Sequence, residues 1–180
     1  MIILRRRVAG LSEATLARFV KRACTILGMR GDVNVLITGS RELRDLNSRF
    51  RKKNLATDVL SFPPMPSLRH DFAGDVAISA EIANRNARRL GHSAAQEIKI
   101  LTLHGILHLA GFDHDHDAGR MARQEDHLRT MFSLPHGLIE RSAEFAKRKR
   151  TARLRPANVR RALRGDRSGR RSGVRATPTR

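Results

Sequence analysis

The sequence predicts an α+β fold, a single domain in which helices pack a small mixed β-sheet and a central buried helix carries a cluster of histidines. Three observations predict it. Short β-branched stretches and longer helical patterns come in mixed order, with the first two strands joined by a helix. The segment from 94 to about 110 is apolar nearly all round, which is the mark of a helix inside a core. The chain has 180 residues, enough for one domain with a proper core.

Residues 2–8 alternate weakly and read as a strand. Ser12 is placed to cap a helix over about 13–28, with Leu16, Phe19, Val20, Ala23 and Leu27 on one face and Gly28 near its end. Val33 to Thr38 reads as a second strand. Ser40 is placed to cap a helix over about 41–50, with Leu43, Leu46 and Phe50 inward, and a basic loop, Arg51-Lys52-Lys53-Asn54, follows. Thr57 to Phe62 reads as a third strand, stopped by Pro63-Pro64. Gly74 to Ser79 reads as a fourth. Ser79 then caps a helix to about Leu90, ended by Gly91. Ser93 and Gln96 form a capping box for the apolar helix. Met121, Leu128, Met131 and Phe132 mark a last helix.

The chemistry concentrates in His104-Gly105-Ile106-Leu107-His108-Leu109-Ala110-Gly111-Phe112-Asp113-His114. Residues four apart share a helix face, so His104 and His108 point two imidazoles at one place. Gly111 is suited to end the helix in a left-handed turn and so return His114 to the same place. Three imidazoles with an open fourth position are the ligand set of a catalytic zinc. A buried helix also cannot carry two imidazoles without partners, since an unpaired buried polar group costs roughly 1–3 kcal/mol. The spacing matches the metzincin protease pattern H-E-x-x-H-x-x-G-x-x-H with one change. Gly105 stands where the protease has its glutamate base, so the cage is kept and peptide hydrolysis by that route is not supported. His70, His92, His116, His127 and His136 sit in polar surroundings and read as solvated, with His116 close enough to take part from outside the cage.

Charge is the second strong signal. The formal net charge is +19, and residues 147–180 hold 14 Lys/Arg against the lone acid Asp166. Residues 1–146 form the domain proper. The segment 147–180, with its Arg repeats and scattered Pro and Gly, cannot bury enough surface to offset its ordering entropy and is expected to be disordered alone. A polyanion, with nucleic acid leading, is the natural partner. A single cysteine, Cys24, excludes an internal disulfide framework and is expected on the apolar face of the first helix. No segment has the length and apolarity of a membrane span, and no signal peptide is evident. A reduced, cytoplasmic setting without a membrane partner is expected.

On these residues the chain resembles the YbeY endoribonuclease family. The family hallmark H-G-x-L-H-L-x-G-[YF]-D-H is present as His104 to His114. An Arg-containing loop leading into T-[DN]-V-L-S-F-P is present as Arg51 to Pro63, and G-D-[IV]-x-I-S as Gly74 to Ser79. The resemblance covers roughly residues 30–140. Asn54 stands where the family often has Asp, Ala56 where it often has Pro, and Phe112 where Tyr is commoner. The resemblance implies a zinc-dependent, single-strand-specific endoribonuclease that acts in 16S rRNA 3′-end maturation and ribosome quality control. Its implied partners are the rRNA precursor and the small ribosomal subunit with its proteins. It implies one zinc ion held by His104, His108 and His114, with Arg51 the functional arginine of the active-site cleft.

Arginine carries a planar, permanently charged fork suited to a scissile phosphate. The attacking group is open at this level, between the RNA 2′-hydroxyl and a water activated by the metal. The base is also open. Asp75, Asp113, Asp115 and Asp117 are available, but Asp113 is expected to orient a ligand histidine, Asp75 to end a strand, and Asp115 and Asp117 to be solvated. Two other classes compete: a metal-dependent hydrolase of another substrate, with a peptidase disfavoured by Gly105, and a non-catalytic ribosome-assembly protein with a structural metal.

Overall fold

The computed structural model describes residues 1–65, 67, 71–114 and 116–135. The segment 147–180 lies outside them. Their order is β1 (Ile2–Leu4), α1 (Glu13–Ile26), β2 (Asp32–Thr38), α2 (Ser40–Arg51), β3 (Val59–Phe62), β4 (Phe72–Ser79), α3 (Ala80–Leu90), α4 (Ala94–Leu109) and α5 (Arg120–Met131). The sheet runs β1-β2-β4-β3. β1 and β4 flank β2 in parallel, and β3 pairs antiparallel with β4. The expected mixed sheet is therefore present, with β3 on its edge.

Side chains alternate across the sheet as strand geometry requires. Val33, Val35 and Ile37 of β2 join Val76 and Ile78 of β4 in the main core, with Leu16, Phe19, Val20 and Ala23 of α1 and most of α4. Each large apolar side chain so buried contributes roughly 1.5–3 kcal/mol relative to exposure. On the opposite face Leu60 and Ala77 meet Leu43 of α2 in a smaller cluster. α4 packs against α1, α3, α5, β3 and β4, and Ile98 and Ile100 to Leu107 are all buried along it. Its Ser93–Gln96 capping box is formed as expected. Ser12 caps α1 and Ser79 caps α3. Cys24 is half-buried against the main core.

Four expectations need correction. β1 stops at Leu4 because Arg5 and Arg6 both donate their backbone N–H to the Ile37 carbonyl, at 2.9 and 3.3 Å, which curls the chain off the sheet. β3 begins at Val59, where the Asp58 carboxylate accepts the Val59 N–H at 3.0 Å. Ser40 does not cap α2: Gly39 is the capping residue, and the backbone N–H and hydroxyl of Ser40 donate to Glu81 at 2.6 and 3.0 Å. A carboxylate from α3 thus fills the N-terminus of α2, where the helix dipole favours negative charge. Finally, Phe50 points outward, at 58% exposure. In α2 the inward position one turn after Leu43 belongs to Asn47, buried because its amide donates to the Leu55 carbonyl at 2.7 Å.

Candidate metal centre

α4 supplies two of the three histidines, and its ending supplies the third. Gly111 adopts φ 88°, the left-handed region that a beta-carbon disfavours. The Phe112 N–H then donates to the Leu107 carbonyl and the Gly111 N–H to the His108 carbonyl, both at 3.0 Å. This pair of bonds is the Schellman ending, and it reverses the chain within three residues. His114 arrives beside the helix it has just left. One ligand atom from each of His104, His108 and His114 lies within 4.8 Å of the others. His104 is buried, His108 half-buried and His114 exposed.

The two helical rings are held from behind. His108 Nδ1 lies 3.1 Å from the Phe112 carbonyl oxygen, which only accepts, so Nδ1 carries the proton. His104 Nδ1 lies 3.3 Å from Oε1 of Glu125, a residue of α5 that is 2% exposed. An ionised carboxylate there likewise calls for a proton on Nδ1. Both Nε2 atoms are then bare lone pairs, and they stand 3.1 Å apart. Two acceptors at that distance repel unless a cation or a proton lies between them. Burial pushes the His108 imidazole pKa down, and His104 and His114 add to the effect, which disfavours the proton. The residues therefore fit a metal ion, and the donor set suits zinc among several late divalent ions.

The centre opens onto a cleft of about 590 Å³ whose wall includes Arg51, Thr57, Asp58, Ser61, Asp113 and the three histidines. Arg51 ends α2, is exposed, and donates from Nη2 to the Ser61 carbonyl at 3.4 Å. All four residues singled out from sequence thus meet at one cleft. Gly105, one residue on from His104, packs against Val76 of β4. A beta-carbon on it would lie 2.7 Å from Cγ1 of Val76, so the helix touches β4 there and a glutamate has no room.

The candidate bases separate. Asp75 is inside β4, not at a strand end, and accepts from the Asn34 amide at 3.0 Å. It lines a groove on the α2 side of the sheet. Gly119 is the N-cap of α5, and Asp117, just before it, accepts the Met121 N–H at 2.7 Å. Asp115 lies outside the described residues, as do His70 and His136. Asp113 pairs with His116 at 2.7 Å on the cleft wall. Asp58 also lines the cleft, and sequence reasoning missed it. Missed too were Glu125 and the pair His92–Glu97, joined at 2.7 Å with side chains 7% and 0% exposed. The His92 side chain is therefore largely buried, whereas His127 is exposed.

Comparisons with known proteins identify the family. A family model described as "Endoribonuclease YbeY" matches residues 5–133. Among similar proteins, the "Endoribonuclease YbeY" of Koribacter versatilis is 52% identical over 148 residues, covering 82% of this chain and 95% of that protein. That of Solibacter usitatus is 48% identical, covering 78% and 92%. That of Helicobacter pylori strain J99 is 38% identical, covering 69% and 88%. The family match begins at residue 5, well before the three motifs, and takes in α1.

Proposed function

The chain belongs to the endoribonuclease YbeY family, and on that premise we propose that it cuts single-stranded RNA at the centre formed by His104, His108 and His114. The reading takes one zinc ion as the resident metal. It takes the 3′ end of 16S rRNA as the substrate, with ribosome quality control as a second duty. The partners are the rRNA precursor and the small ribosomal subunit with its proteins, in the cytoplasm. Among the described residues no helix is long and apolar enough to cross a membrane.

One observation carries the reading: two Nε2 atoms 3.1 Å apart, with each Nδ1 engaged from behind, open onto a cleft that Arg51 enters. A divalent ion held there would supply Lewis acidity toward a phosphoryl oxygen and a lowered pKa for water. Arg51 uses one N–H on the Ser61 carbonyl. That contact aims its guanidinium at the cleft, and its other N–H groups are suited to orient a phosphate. Val76 beneath Gly105 excludes the protease base, which supports RNA over peptide. In this reading residues 1–146 are the catalytic domain, and the 14 basic residues of 147–180 attract RNA through phosphate charge.

The test is cleavage of single-stranded RNA by the full chain with and without a chelator, alongside metal analysis. His108→Ala, purified identically, is expected to lose both metal and cleavage. Arg51→Ala is expected to keep metal and lose cleavage. Full activity in metal-free His108→Ala protein would overturn the assignment and point to a contaminating nuclease.

A further inference from the structure

Phe50 completes an apolar helical pattern yet is 58% exposed. It sits within Arg49-Phe50-Arg51-Lys52-Lys53, one aromatic among four cations. Its ring meets Phe62 nearly edge-on, with centroids 5.2 Å apart, and the Arg49 guanidinium lies 5.6 Å from its centre. The ring is held by these two neighbours but not covered.

Its position relates it to the metal cleft. Arg51, the next residue, bonds the Ser61 carbonyl and lines that cleft. Ser61 and Pro63 line it too, whereas Phe62 between them lines the groove on the other side of β3 together with Phe50. Edge strand β3 is thus a narrow ridge between the histidines and the exposed ring. An aromatic face among cations suits single-stranded nucleic acid, whose unpaired bases stack on the ring while phosphates meet the charges. A duplex has already stacked its bases. A purely apolar protein partner would gain nothing from four cations around its contact.

We infer that Phe50 is a stacking platform for one base of single-stranded RNA, whose backbone passes over Arg51 into the metal cleft. The inference rests on the RNA-cleavage reading and adds a subsite to it. It makes Phe50 a contributor to RNA affinity and positioning rather than to folding.

The chain contains no tryptophan or tyrosine, so Phe50→Trp introduces a sole indole at this position. Full-length, metal-loaded protein is mixed with oligoadenylate, or with inorganic polyphosphate as a polyanion without bases, and read before turnover. Oligoadenylate is expected to quench the indole and polyphosphate to leave it bright. Phe50→Leu keeps an apolar side chain without a stacking face. It is expected to weaken oligoadenylate binding about 5- to 150-fold, the range for one lost base stack. Polyphosphate binding and the slope of log affinity against log salt stay as in wild type, because no phosphate contact is removed. Wild-type oligoadenylate affinity in Phe50→Leu, or an unquenched indole, would overturn the platform and leave the groove to a protein partner. Cleavage is scored separately. A chain that binds through Phe50 but never cuts overturns the nuclease reading and supports the platform. Cutting by Phe50→Leu at unchanged KM overturns the platform alone.

Discussion

Removing the carboxylate of Glu125 should weaken metal binding about tenfold without touching a ligand. Glu125 Oε1 lies 3.3 Å from His104 Nδ1, inside a region where Glu125 is 2% and His104 5% exposed. Hydrogen bonds to charged groups contribute about 1.5–3 kcal/mol, and 3.3 Å lies just beyond the usual N–H···O range of about 2.7–3.2 Å. The lower figure is therefore the relevant one, and about 1.4 kcal/mol is a factor of ten in affinity. Carboxylates behind metal-bound histidines typically change affinity 10- to 100-fold when lost, which agrees. Glu125→Gln keeps an oxygen acceptor but not its charge. Neutral bonds are roughly half as strong, so the loss should be about threefold. The assay is competition for zinc against a chromophoric chelator, with melting of the metal-free proteins as a control for general damage. Affinity within twofold of wild type in Glu125→Ala would refute the reasoning. So would an equal fall in Glu125→Gln and Glu125→Ala, because Gln keeps an oxygen acceptor for His104 Nδ1 that Ala lacks.

Two further outcomes follow from the same geometry. Gly105→Glu restores the protease pattern in letters, yet it should abolish folding rather than create a peptidase: overpacking against Val76 costs about 1–3 kcal/mol, and burying a carboxylate there adds several more, against a usual domain stability of about 5–15 kcal/mol. Thermal melts check this, and a well-folded Gly105→Glu protein would contradict it. The second outcome concerns pH. Burial lowers the His108 pKa, with His104 and His114 reinforcing it, so the unfolded chain takes up that proton first. Its contribution to the stability of the metal-free protein is whole above about pH 6.5, the ordinary histidine value, and is lost as pH falls toward the depressed native value. The melting temperature of His108→Leu should fall less steeply with acidification than that of wild type.

Much of this was legible in the sequence because the decisive signals are local. The step from His104 to His108 is helix geometry, Gly111 is a backbone conformation, and Ser93 with Gln96 is a self-contained cap; each is set within a few residues. Glu125 was not legible, since it lies 21 residues from His104 and reads as one more charge on a polar helix. Its role exists only once α5 docks on α4. The inward placement of Phe50 failed for a related reason. Periodicity assigns a face to every turn of a helix, but only the partner decides how far along that face the contact extends. Asp75 sat in a recognisable motif, and pairing with β2 fixed which side of the sheet it faced.

α4 has one remaining consequence. The helix that presents two of the ligands is also the beam around which the hydrophobic interior is built, with Ile98, Leu101, Ile106 and Leu107 at 0% exposure. In small zinc modules the ion supplies the folding energy, and chelation dissolves the structure. Here the scaffold stands on its own packing. Withdrawing the ion should leave a folded, silent protein with its rings still converged, ready to resume work when metal returns. Metal supply could then turn the enzyme off and on again without new synthesis.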